Sequence, residues 1–72
     1  MSMPPVMADF HIIVKAETRE QQLDEIQNAV DGNGEIQLMA RRQQHSILRV
    51  KAPTDTYLYL LLKYGKDSVW LR

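Results

Sequence analysis

Val14-Lys15-Ala16-Glu17-Thr18 returns half a chain later as Val50-Lys51-Ala52-Pro53-Thr54. In each copy an apolar, β-branched run leads to a threonine placed where a helix can be capped. A Leu/Ile-bearing stretch follows, then glycine, then another alternating run. The chain therefore reads as one β-α-β unit written twice, and that reading fixes an architecture before it says anything about chemistry.

A chain of 72 residues makes one domain, and at that size only about 60% of the unfolded surface is buried on folding. With 44% apolar and 25% charged residues it has the composition of a folded chain. The absence of cysteine excludes disulfide staples and thiolate metal sites, so self-association is the expected source of extra burial. No run of apolar aliphatics exceeds three residues, as at Leu60-Leu61-Leu62, too short for a membrane span. Met1-Ser2-Met3-Pro4-Pro5-Val6-Met7-Ala8 has neither the positive start nor the apolar segment of a secretory signal, which sets a cytoplasmic expectation.

In chain order, residues 1–9 read as a flexible arm, because two prolines deny it regular structure. The folded domain is expected over 10–72. Phe10 to Ala16 is β-branched and partly alternating, as a strand requires. Thr18 and Gln21 have capping-box spacing, and Leu23, Ile26 and Val30 form the apolar stripe of a first helix. Gly32 and Gly34 are expected to supply the left-handed conformations that end it. Residues 35–41 and 46–52 alternate as two strands joined by a short polar connection, Pro53 ends the second of them, and 68–72 reads as a last strand. Residues 55–64 fit two states. As a helix, Thr54 is the N-cap, Gly65 the terminator, and Leu58, Leu61 and Leu62 face the core, leaving Tyr59 and Leu60 outward. As a strand, Tyr57-Leu58-Tyr59-Leu60 has the right propensity, and the chain is β-α-β-β-β-β. The repeat favours the helix.

The helical reading gives an α+β chain of order β-α-β-β-α-β, which resembles the ferredoxin-like fold. Element order over 10–72, with Gln44-His45-Ser46-Ile47-Leu48-Arg49-Val50 leading into a capped helix, resembles the ACT and YbeD-like regulatory domains. That resemblance implies a four-stranded antiparallel sheet in the order 4-1-3-2, with both helices on one face and the other face open. It brings no site residues with it.

Alternation then divides the strands. Phe10, Ile12, Val14, Ala16, Ile36, Leu38, Ala40, Leu48, Val50, Ala52, Val69 and Leu71 are expected under the helices. The open face is expected to hold Ile13, Lys15, Met39, Arg41, Ile47, Arg49, Lys51, Trp70 and Arg72, with His11 and Gln37. Lys15 and Lys51 are expected side by side there. Such a patch, basic yet carrying isoleucines and the only tryptophan, marks an interaction surface. The second strand, an exposed edge in this order, offers strand addition as another route.

No phosphate-binding, metalloprotease or nucleophile-elbow motif occurs. His11 and His45 lack the partners that catalysis needs, and Glu20, Asp24 and Glu25 read as acids favouring a helix start. No enzyme, cofactor or metal is expected. The expected function is a small protein-interaction or regulatory module, a homo-oligomer or a partner's accessory, with no membrane role. The alternative is RNA or DNA binding through the basic face. Against it stand the balance of 9 Lys and Arg with 9 Asp and Glu and the lack of stacking aromatics on the central strands.

Overall fold

Phe10, Ile12 and Val14 occupy every second position of the first β-branched run, so a pleated strand sends all three to one side. In the computed structural model, which describes residues 6–72, all three are fully buried. Their strand, β1, spans Met7–Lys15, and Ala16–Thr18 closes it with a 3-10 turn. Then come α1 (Arg19–Val30), β2 (Glu35–Arg41), β3 (His45–Pro53), α2 (Thr54–Tyr64) and β4 (Val69–Leu71). The strands form a four-stranded sheet in the order β2-β3-β1-β4, antiparallel throughout. Both helices pack on one side of it: the topology is that of the ferredoxin-like sandwich, and residues 55–64 are helix.

Residues 1–5 of the expected arm lie outside the described residues, while Met7, Ala8 and Asp9 are strand. The reason is the length of β3. Its nine residues pair with nine of β1, from Met7 opposite Pro53 to Lys15 opposite His45. Thr54 continues the connection, donating both its backbone N–H and its hydroxyl to the Val6 carbonyl. Thr54 is thus the first helical residue of α2, and Pro53 is the N-cap.

The core lies between sheet and helices. Phe10, Ile12, Val14, Leu48, Val50, Ala52 and Val69 come from the sheet; Ile26, Val30 and Leu60 come from the helices. Full burial of each large side chain contributes about 1.5–3 kcal/mol. The leucine run of α2 is turned differently from expectation. Leu60 is fully buried, Tyr57, Leu61 and Tyr64 pack beside it, and Leu58, Tyr59 and Leu62 are exposed. The inward set has the spacing i, i+3, i+4, i+7 of one helix face. That phase gives both tyrosines of the inward face a partner across the core. Tyr57 stacks obliquely on Phe10, with centroids 5.1 Å apart. The Tyr64 hydroxyl donates to the Glu25 carboxylate of α1, which also pairs with Lys63 at 3.2 Å. Glu25 therefore clasps the two helices together. The Tyr64 and Lys63 contacts hold its carboxyl below the ordinary value, and burial, with Glu25 second, pushes the Tyr64 phenol up.

The turn and cap also differ from expectation. Gln22, not Gln21, completes the start of α1: its Oε1 accepts the Thr18 hydroxyl at 2.9 Å and the Lys15 N–H at 3.0 Å. Asp31 and Gly32 adopt the left-handed conformations after α1. Gly34 has another task. A Cβ there would sit 1.9 Å from the Lys51 carbonyl oxygen, so only glycine lets β2 start this close to β3.

Leu60→Ala is expected to cost about 2–5 kcal/mol, whereas Leu62→Ala, at 86% exposed, should stay within about 0.5 kcal/mol of the parent. Urea unfolding of the two variants checks the helix phase. Gly34→Ala is expected to destabilise by at least about 2 kcal/mol, because the obstructing atom is backbone; the same measurement reads it.

Candidate interaction face of the sheet

Because every strand pair has a defined register, the open face can be built row by row. The first row runs Arg72, Asp9, Lys51, Glu35 across β4, β1, β3 and β2. Asp9 opposes Lys51 and Lys51 opposes Glu35, while the Arg72 N–H donates to the Asp9 carbonyl. Charge alternates in sign along it. The next row is Trp70, His11, Arg49, Gln37. The His11 ring lies nearly parallel to Trp70, centroids 5.5 Å apart. Beyond it comes an apolar row of Ile13, Ile47 and Ala40, and then Lys15 beside His45.

Asp9 organises the ionic end. Arg49 grips it at two points, Nε to Oδ1 at 3.0 Å and Nη2 to Oδ2 at 2.6 Å, and Arg72 Nη1 lies 3.6 Å from Oδ2. A bidentate guanidinium–carboxylate pair fixes both partners in orientation. The Arg49 hydrogen bonds bring the Asp9 carboxyl down from 3.8 to about 2 against the opposing effect of burial, with the charges of Arg49, Arg72 and Lys51 adding to the fall. On sequence Asp9 belongs to the arm, because the prolines ahead of it break regular structure. The pairing length of β3 draws it into the sheet.

Of the residues expected on this face, Ile13, Lys15, Ile47, Arg49, Lys51, Trp70 and Arg72 are brought there, while Arg41 lies elsewhere and Met39 has no counterpart on β3. Leu38 opposes Leu48 and Ala40 opposes Ile47, so Met39 is an extra residue, a β-bulge. Past the bulge the alternation inverts. Ala40 joins the open face, and Arg41, opposite the buried Ser46, turns to the helix side. The two lysines of the repeat are also apart. β1 and β3 run antiparallel, so Lys15 opposes His45 while Lys51 opposes Asp9, a separation of roughly 20 Å at about 3.4 Å per residue. The face is therefore a mixed surface and not a continuous basic one.

Among the described residues, no cluster of three or more His, Asp or Glu side chains is placed to hold a metal. No described helix is long and apolar enough to cross a membrane.

Asp9 ionises more readily folded than unfolded, so its pairing stabilises the fold fully above about pH 4. That contribution fades as pH falls through 3.8 towards 2. Asp9→Asn should accordingly be less stable than the parent at neutral pH, with the gap in urea midpoint closing between about pH 4 and pH 2. No protein-family model, curated protein or solved structure matches this chain.

Proposed function

We propose that this chain is a small non-enzymatic interaction module that self-associates through the open face of its sheet and serves as a regulatory or accessory subunit. The element order shared with ACT and YbeD-like regulatory domains agrees with such a role. The observation that carries the self-association is the alternating row Arg72, Asp9, Lys51, Glu35. Two copies packed face to face about a two-fold axis along the strands lay each row on its own reverse. Arg72 then meets the partner's Glu35, Asp9 meets the partner's Lys51, and Ile13 meets the partner's Ile47. Sheets pack in this aligned manner with a modest crossing angle set by their twist.

The edges are poorer candidates. β4 is three residues long, and the bulge in β2 leaves only Glu35 to Leu38 in regular alternation, both of which blunt strand addition. Nucleic-acid binding gains no support from a face whose cations alternate with acids, since phosphate contacts call for unopposed positive charge.

Light-scattering mass across a concentration series is expected to show a dimer. Ile47→Asp should abolish it. Glu35→Lys should weaken it about tenfold or more, and Glu35→Lys combined with Arg72→Glu should restore much of the loss. A dimer unchanged by Ile47→Asp places the contact elsewhere, and a monomer at every concentration refutes self-association.

A further inference from the structure

The side of the sheet opposite that face carries a second feature, independent of any dimer. Between α1 and the β2 edge lies a groove of about 350 Å³, at the small end of the range for ligand sites. Leu23, Ile36 and Leu38 give it aliphatic walls, and Arg19, Arg41 and Ser46 supply its polar groups. Leu38 is 55% exposed although its strand position faces the helix side.

The polar groups are unsatisfied in a consistent way. Ser46 is 3% exposed, and its hydroxyl has no hydrogen-bond partner in the protein. The Nε of Arg19 is likewise buried without one. Among the described residues the ion pairs are Asp9 with Arg49, Asp9 with Arg72, and Glu25 with Lys63, so neither Arg19 nor Arg41 is matched to an acid. No carboxylate lines the groove. Buried polar atoms such as the Ser46 hydroxyl and the Arg19 Nε are ordinarily hydrogen-bonded. Arg41 reaches the groove only because the Met39 bulge inverts the alternation ahead of it.

We infer that this groove binds an aliphatic monocarboxylate, its carboxylate held by Arg19 and Arg41 with the Ser46 hydroxyl as a further donor, and its chain laid on Leu23, Ile36 and Leu38. Two guanidiniums and a hydroxyl free to donate, with no acid lining the groove, select an anion. The absence of a lining acid leaves an ammonium group unpaired, so the ligand is a simple carboxylic acid and not an amino acid. At about 30 Å³ per water-sized group, the volume admits a ligand on the order of ten heavy atoms, a medium-chain acid.

The test uses the full chain and octanoate, followed by amide chemical shifts and calorimetry. Octanoate is expected to bind with a Kd of about 0.1–1 mM, with shifts centred on Leu23, Leu38, Arg41 and Ser46. Arg41→Gln, a change at an exposed side chain, should weaken binding about tenfold or more, and Arg19→Gln similarly. Octanol and octylamine should bind at least about tenfold more weakly than octanoate. The inference is overturned by shifts confined to the exposed leucines of α2, by equal binding of octanol, or by octanoate affinity unchanged in both arginine variants. Tighter binding of an acetylated dipeptide ending in a leucine carboxylate also overturns it, in favour of peptide termini. None of these readouts depends on the dimer, so the two proposals fail separately.

Discussion

The nine-residue antiparallel pairing of β1 with β3 is the constraint on which the rest of the molecule depends. It sets Phe10 beside Val50 and Ile12 beside Leu48 on the helix side, which gives α1 and α2 a surface to pack on. The same register sets Asp9, His11 and Ile13 against Lys51, Arg49 and Ile47 on the other side. A one-residue slip would exchange the two faces entirely. The register is pinned at both ends. Thr54 bonds back to Val6 at one, and the Ala16 N–H donates to the Gln44 carbonyl at the other.

Much of this was legible in the sequence because it rests on local periodicity. The repeat around Val14 and Val50 marked the two central strands and argued for a helix after Thr54, and both are present. What was not legible required knowledge of neighbours. The leucines of α2 outweigh its tyrosines in any hydropathy reading. Yet Tyr57 and Tyr64 are the residues with partners across the core, Phe10 and Glu25. Two identical lysines in a repeat suggested adjacency, but antiparallel strands carry equivalent positions to opposite ends.

The candidate face was partly readable for the same reason. Ile13, Ile47, Arg49 and Trp70 follow from alternation alone. Asp9 did not, since its place depends on how far β3 extends, and that extent is a tertiary fact. Its arrival changes the chemistry of the face: Arg49, otherwise a free cation, becomes one half of a fixed pair. The groove behind the sheet was invisible from sequence, because Arg19, Arg41 and Ser46 share no spacing. They come from three elements joined only by the fold.

The bulge at Met39 carries a broader implication, best put as parity. Up to Gln37 the odd-numbered residues of β2 belong to the open face; from Ala40 the even-numbered ones do. One strand thereby serves two surfaces, contributing Glu35 and Gln37 to one and Arg41 to the other. Loss or gain of a single residue at this point would swap what each surface receives while leaving β3, β1 and the core untouched. The outermost strand is thus a place where the two sides of the sheet can acquire new chemistry by a change in length instead of a change in side chain.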